Sequence, residues 1–80
     1  MEVLVLGPGC PNCRKTYELA QQAVEAAGVE ADVRKVEDII EISKYVMMTP
    51  GVVVDGDVKC AGRVPDMDQI VEWLREAASA

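Results

Sequence analysis

Two cysteines near the start of the chain, Cys10 and Cys13, have the type and the spacing for thiol–disulfide chemistry. Residues three apart at the start of a helix place their Cα atoms about 5 to 6 Å apart, which is within the range that a disulfide bond tolerates. Pro11 suits the first position of such a helix, because its missing N–H would have no partner there. The motif Cys10, Pro11, Asn12, Cys13 therefore predicts a pair of thiols that can open and close a bond.

The predicted positions assign a different role to each sulfur. Cys10 is expected at the helix N-terminus, where unpaired N–H groups and the helix dipole favour a thiolate, and Arg14 and Lys15 add positive charge nearby. Cys13 is expected on the apolar side of the helix, shielded from solvent. We predict that Cys10, with a lowered pKa, attacks a disulfide and that Cys13 resolves the mixed disulfide.

The elements around the pair follow from apolar spacing and from glycine and proline. Val3 to Leu6 is a continuous apolar run, typical of a central strand that is covered on both faces. A first helix is predicted from Pro11 to Ala27, ending before Gly28. Its expected buried stripe is Cys13, Tyr17, Ala20, Val24 and Ala27.

The remaining elements complete an alternating order. Residues 29–36 predict a strand at the sheet edge, with Val29, Ala31 and Val33 on one side. The spacing of Ile39, Ile42 and Val46 indicates a short helix that cannot pass through Pro50.

The last third of the chain predicts a hairpin and a closing helix. The Asp55-Gly56 pair between β-branched runs favours a two-residue turn between antiparallel strands. Asp66 and Gln69 resemble a capping box, and a final helix follows with the stripe Met67, Ile70, Val71 and Leu74. The order βαβαββα predicts an α/β fold, in which a mixed four-stranded sheet packs against three helices.

Composition excludes several classes of function. Eighty residues, half of them apolar and 28% charged, predict one small globular domain over residues 1–80. A net charge of −6 disfavours nucleic acid and anionic membranes as partners. No apolar run approaches the ~20 residues that span a bilayer, and no positive leader precedes the first strand. An odd number of cysteines, two of them close together, favours a reactive pair in a reducing cell, so we expect a cytoplasmic protein.

With these motifs the chain resembles the thioredoxin fold over nearly its whole length, and most closely the small, glutaredoxin-sized prokaryotic proteins called redox-active disulfide proteins. The resemblance rests on the Cys10 to Cys13 motif after the first strand, on Thr49 and Pro50 before the hairpin, and on the Gly62 turn before the last helix. In thioredoxin-like proteins the matching proline is cis and lies against the disulfide, and the backbone before it pairs with an extended substrate. The resemblance therefore implies a cis bond at Pro50 and a substrate-binding role for Thr49 and Pro50.

The chain also departs from its relatives at the motif. Thioredoxins carry an aromatic residue before the motif and a buried acid beneath it, whereas Pro8 and Gly9 precede Cys10 and the first strand is apolar. The resemblance thus assigns no proton acceptor to Cys13. The glycine pair and acid with which glutaredoxins bind glutathione are not found at residues 61–65.

The resemblance and these departures from it set the expected partners. We expect a thiol–disulfide oxidoreductase that acts on a disulfide-containing client protein. Its electron donor is expected to resemble thioredoxin reductase rather than to be glutathione. We expect a monomer with no cofactor beyond the Cys10–Cys13 disulfide, in which Pro11 and Asn12 support the active site.

The cysteine pair has alternative interpretations. It could be half of a structural zinc site, although such a site needs four ligands and Cys60 is the only other thiol. Two packed core cysteines would fit Cys13 but not Cys10, which follows a glycine turn. Two thiolates at a strand-to-helix turn can also hold Cu(I), as in heavy-metal chaperones, and this soft-metal role is the main alternative. Those chaperones have a βαββαβ order, which differs from this chain.

The third cysteine, Cys60, alternates with Val58 on the last predicted strand. Buried cysteine often behaves as a small apolar residue, so we predict that Cys60 fills the core, with a regulatory disulfide as the alternative.

Overall fold

The computed structural model describes residues 1–9, 11–45 and 48–79. Cys10 and Val46, both used in the predictions above, lie outside the described residues. Within the described chain the structure is α/β, with a four-stranded mixed sheet and three helices in the predicted order. The elements are β1 (Glu2–Leu6), α1 (Pro11–Ala27), β2 (Asp32–Val36), α2 (Ile39–Ser43), β3 (Gly51–Val54), β4 (Asp57–Ala61) and α3 (Met67–Ser79).

The sheet has the strand order β2-β1-β3-β4. β1 is parallel to β2 and antiparallel to β3, and β3 is antiparallel to β4. The central position of β1 and the edge position of β2 are as predicted. β2 is shorter than predicted, because it begins at Asp32, whose N–H donates to Met1 O at 3.0 Å. Val29 and Ala31 pack against the core from the connection before it.

The hairpin between β3 and β4 has the predicted turn. Asp55 and Gly56 have φ values of 47° and 85°, which match the two left-handed positions of a type I′ turn. Val52 pairs with Cys60 and Val53 with Val58, so Lys59 is an extra residue that forms a bulge in β4. The bulge places Val58 and Cys60 on opposite faces of the sheet, which simple alternation does not predict.

α1 and α3 cover one face of the sheet, which we call the major face. This face presents Val3, Val5, Val52 and Val54, all buried. The helices contribute buried small and branched residues to the same cluster, namely Ala20, Ala23, Ile70 and Leu74. Cys60 is also part of this cluster, at 5% exposure, which confirms its prediction as a core residue.

The buried face of α1 differs from the predicted stripe. Its buried residues are Cys13, Thr16, Ala20 and Ala23, whereas Tyr17, Val24 and Ala27 are only half-buried at the flank. The helix turns its smallest residues toward the neighbouring elements, because small side chains allow close packing. The larger side chains pack beside that contact, where Tyr17 has Lys35 Nζ 5.0 Å from its ring centre.

α2 covers the other face, which we call the minor face. Here Leu4, Leu6 and Val53 are buried together with Ile42, the one buried residue of α2. Asp38 caps the helix, since its carboxylate accepts the N–H of Ile40 at 2.8 Å. Ile39, which is part of the spacing that predicted this helix, is 70% exposed.

α3 begins at Met67, where the predicted cap is present. Gln69 Oε1 accepts the backbone N–H of Asp66 at 3.1 Å, which is one half of a capping box. Ile70 and Leu74 are fully buried, while Met67 and Val71 are half-buried, so the predicted stripe is confirmed with its centre on two residues. None of the helices in the described part of the chain is long and apolar enough to cross a bilayer.

Candidate functional site

The loop between β1 and α1 carries the cysteine motif. Gly7 extends the parallel ladder by one bond, since its N–H donates to Val36 O at 2.9 Å. Gly9 then adopts φ +96°, a left-handed conformation that favours glycine, and α1 begins at Pro11 as predicted. Cys10 lies outside the described residues. The residues before and after it in the chain, Gly9 and Pro11, form the predicted turn and the predicted helix start.

Cys13 is buried beneath this loop, with 4% of its surface exposed. Its sulfur lies directly against the backbone of Gly7. A Cβ atom on Gly7 would overlap this sulfur and would lie 2.6 Å from Cys13 Cβ, closer than real Cβ contacts. The predicted shielding of Cys13 is confirmed, and Gly7 is the residue that permits it.

One turn further along α1, Thr16 is fully buried although its side chain is polar. Its hydroxyl donates to the backbone oxygen of Asn12 at 2.8 Å, which satisfies the group inside the helix. Asn12 itself is exposed. The hydroxyl thus ties the middle of the motif to the buried side of α1.

The turn before β3 contains the predicted cis peptide bond, between Thr49 and Pro50. Leu6 pairs with Gly51 in the antiparallel ladder of β1 and β3. The next residue after Leu6 is Gly7, and the residue before Gly51 is Pro50, so the two strands bring these residues to the same end of the sheet. Paired strands run about 5 Å apart, which places the Thr49–Pro50 turn beside the residue that supports Cys13.

Gly62 ties a third segment to the same end of the sheet. Its N–H donates to Pro50 O at 2.9 Å, and its φ of +82° confirms the predicted turn before α3. The side chain of Met48 rests over Gly62, since a Cβ atom there would lie 3.3 Å from Met48 Cβ and Cε. Met48 is nevertheless 64% exposed. An apolar side chain therefore borders the cis turn on its solvent side.

Charged side chains of both signs surround the loop. Arg14 and Lys15 are exposed in the first turn of α1. On the other side, Glu37 Oε2 lies 3.7 Å from the point where a side chain at Gly9 would begin. Two exposed basic residues of α1 therefore follow the motif in the chain, and one carboxylate that follows β2 lies close to Gly9.

Two further residues near α3, Cys60 and Arg63, form hydrogen bonds with residues outside the motif. Cys60 is a free cysteine whose thiol donates to Arg63 O at 3.4 Å. Arg63 donates from its guanidinium to Gln69 Oε1 at 3.1 Å, the same oxygen that caps α3. Arg63 therefore serves the start of α3.

Several predicted site residues thus lie together. The structure adds three residues that the sequence analysis did not identify. The structure places Pro11, Asn12 and Cys13 on the first turn of α1, and brings the Thr49–Pro50 turn next to them through the β1–β3 ladder. Sequence reasoning did not identify Gly7, Thr16 or Glu37. The signals available were a glycine directly after an apolar strand and a threonine three residues after Cys13. Glu37 has no local signal, because the parallel pairing of distant strands positions it.

Comparison with known proteins agrees with this geometry. A family model described as a thioredoxin domain matches residues 1–75. The chain is similar to a protein named thioredoxin from Methanocaldococcus jannaschii, with 40% identity over 73 residues that cover 91% of this chain and 85% of the relative. It is also similar to a protein named thioredoxin from Methanothermobacter thermautotrophicus, with 32% identity over 75 residues that cover 92% and 97% of the two chains.

Proposed function

We propose, from the premise that this chain belongs to the thioredoxin family of thiol–disulfide oxidoreductases, that it exchanges disulfides through Cys10 and Cys13. The observation that carries the proposal is the meeting of two segments at one end of the sheet. The loop that holds the motif and the cis Thr49–Pro50 turn lie side by side, with the Cys13 sulfur packed against Gly7 beneath them. This arrangement supports a nucleophile at the surface and a resolving thiol below it.

The proposed reaction has two exchange steps. The Cys10 thiolate attacks one sulfur of a client disulfide, forms a mixed disulfide and releases the other client sulfur as a thiolate, which takes up a proton. Cys13 then loses its proton and attacks the Cys10 sulfur, which releases the second client thiolate and closes the Cys10–Cys13 bond. Two electrons pass from the protein to the client, whose two thiolates take up one proton from Cys13 and one from solvent, and no bound cofactor is needed.

The different surroundings of the two cysteines support their assigned order. Cys13 is almost fully buried, so a client disulfide cannot reach its sulfur without displacing the loop above it. Cys10 precedes Pro11, the first residue of α1, where helix dipole and unpaired N–H groups lower the pKa of a thiol. The intramolecular second step needs only that Cys13 lie one turn from Cys10, as the helix spacing provides.

The cis turn supplies a surface for the client backbone. The hydrogen bonds of the described chain use the carbonyl of Pro50 for Gly62, but they leave the N–H and C=O of Thr49 without a protein partner. An extended client segment could pair with these two groups, as strands do at a sheet edge. Thr49 and Pro50 are therefore the proposed substrate-binding residues, and the exposed Met48 borders them.

The reduced pair must be regenerated by a partner that supplies two electrons. We propose a donor of the thioredoxin-reductase type rather than glutathione, because Arg63, near the position where glutaredoxins bind glutathione, is bonded to Gln69 of α3. A donor of this type would react with the same Cys10 sulfur as the client.

A redox titration tests the proposed function. Metal-free protein is equilibrated with dithiol–disulfide buffers, and the state of each cysteine is read by the mass shift after alkylation. We expect one reversible two-electron transition, which persists in Cys60→Ser and disappears in Cys10→Ser. Cys60→Ser is the matched control, because Cys60 is a free core cysteine.

A different result would redirect the assignment of the motif. If the internal bond does not form, and the isolated protein holds copper or zinc in stoichiometric amount, the oxidoreductase proposal is wrong and the two thiolates are a metal site.

A further inference from the structure

Glu37 is an acidic residue beside the motif that the proposed reaction does not use. It follows β2 directly, and the bond from Gly7 N–H to Val36 O fixes this point of the chain against the loop. Its carboxylate lies 3.7 Å from the position of a side chain on Gly9. Cys10 is the next residue along the chain after Gly9, so this carboxylate lies beside the residue that precedes the proposed nucleophile.

Within the part of the chain that the structure describes, Glu37 differs from the neighbouring acids Asp38 and Glu41, which have partners. Asp38 accepts the N–H of Ile40 as the cap of α2. Glu41 pairs with Lys44 at 3.0 Å, and their hydrogen bond raises the pKa of Lys44. Among the described residues no basic side chain lies within ion-pair distance of Glu37. Its negative charge therefore has no ion-pair partner among the described residues.

We propose that the carboxylate of Glu37 opposes formation of the Cys10 thiolate and so makes the cysteine pair a stronger reductant. The inference rests on the proposed function, because it takes Cys10 as the nucleophile. Glu37 does not touch the client in this proposal, and acts through the charge it places beside the reacting sulfur.

The direction of the effect follows from electrostatics. A negative charge near a thiol disfavours the thiolate, which raises the pKa of that thiol. The dithiol form then loses part of the stabilisation that a thiolate would give it at neutral pH, so the disulfide is favoured and the pair donates electrons more readily. Arg14 and Lys15, the basic residues of α1 that follow the motif, act in the opposite direction.

The expected size of the effect is modest but measurable. A unit charge about 9 Å from a thiol in a mostly aqueous environment changes its thiolate equilibrium by about two- to fourfold. Removal of the Glu37 charge should lower the pH midpoint of Cys10 ionisation by about 0.3 to 0.6. In the chain with both cysteines, removal of the Glu37 charge should raise the reduction potential by about 10 to 20 mV. A tenfold change in the equilibrium constant corresponds to about 30 mV for two electrons.

The experiment uses the full chain with Cys13→Ser and Cys60→Ser, which leaves Cys10 as the only thiol. The rate of alkylation of Cys10 is measured as a function of pH in the chain that retains Glu37 and in its Glu37→Gln and Glu37→Lys variants. Each curve is recorded at an ionic strength of about 0.01 M and of about 1 M, where the Debye lengths are about 30 Å and 3 Å. Asp38→Asn and Glu41→Gln are the matched controls, because each removes one nearby charge that already has a partner.

We expect the pH midpoint of Cys10 alkylation to fall in Glu37→Gln and to fall about twice as far in Glu37→Lys. Both shifts should be largely lost at about 1 M salt. The controls should shift less than half as far. Equal shifts in the controls, no shift at low salt, or a shift of undiminished size at high salt would each overturn the proposal. The single-thiol chain has no cysteine pair, so this result stands apart from the titration that tests the proposed function.

Discussion

The two faces of the sheet are covered very differently. The major face lies under α1 and α3, which have 17 and 13 residues and bury Ala20, Ala23, Ile70 and Leu74 against the sheet. The minor face lies under α2, which has five residues and one buried side chain, Ile42. Burial of apolar surface is the main source of stability in a small domain. The stability of this protein should therefore come chiefly from the major face.

The minor face has a different property, which is exposed apolar surface. Ile39 and Ile40 are 70% and 71% exposed on α2, and Val58 is also exposed where the bulge turns it to this side. The motif loop and the cis turn lie at one end of the sheet, where the two faces meet. The comparison predicts that a substitution on the major face costs more folding free energy than the matched substitution on the minor face.

Matched substitutions of one isoleucine on each face test this difference. Ile70→Ala should lower the free energy of unfolding by about 3 to 5 kcal/mol, because the space it leaves is enclosed by two long helices and the sheet. Ile42→Ala should cost about 2 to 3 kcal/mol, since a short helix with solvent on its outer side can move into the space. Urea unfolding followed by circular dichroism measures both. Equal losses, or a larger loss at Ile42, would contradict the comparison.

Gly7→Ala is expected to have the next largest effect. The added methyl group would overlap Cys13, so the start of α1 must move away from β1. Overpacking of this kind costs about 1 to 3 kcal/mol. If the shift lowers the free energy of opening the Cys13 pocket by about 1.4 kcal/mol, alkylation of Cys13 in a Cys10→Ser, Cys60→Ser chain should be about tenfold faster.

The control for Gly7→Ala is Pro8→Ala in the same loop, because Pro8 is exposed. It should cost less than about 1 kcal/mol and leave the alkylation rate of Cys13 unchanged. A Gly7→Ala protein with the original stability and the original Cys13 reactivity would show that the close contact is not needed.

The smallest effect is expected on the exposed side of α2. Ile40→Ser should change the free energy of unfolding by less than about 0.5 kcal/mol, because most of this side chain is already in water. The same urea experiment measures it beside Ile42→Ala. A loss above about 1 kcal/mol would mean that the outer side of α2 takes part in the fold.

Local signals in the sequence predicted most of the fold. Asp55 and Gly56 are among the few residues that accept a positive φ, so the hairpin could be predicted from a dipeptide. Pro11 and Gly28 marked the ends of α1 for similarly local reasons. The cis bond at Pro50 followed from the family resemblance rather than from spacing.

The features that were missed depend on contacts between distant residues. Apolarity favoured Tyr17 for the buried face of α1, but close packing selected Thr16, whose hydroxyl finds a partner within the helix. Gly7 and Glu37 are significant only because the sheet and α1 bring Cys13 and Gly9 against them. Alternation also failed at Lys59, since a bulge inserts one residue without a clear sequence signal.

The bulge in β4 also affects how copies of this protein behave toward one another. β4 is an edge strand, and its unpaired N–H and C=O groups could pair with a strand of a second molecule. The extra residue interrupts the regular ladder, and the residue inserted there is a lysine, whose charge disfavours the approach of another Lys59. An irregularity of one residue thus makes β4 a poor template for edge-to-edge pairing with a second molecule.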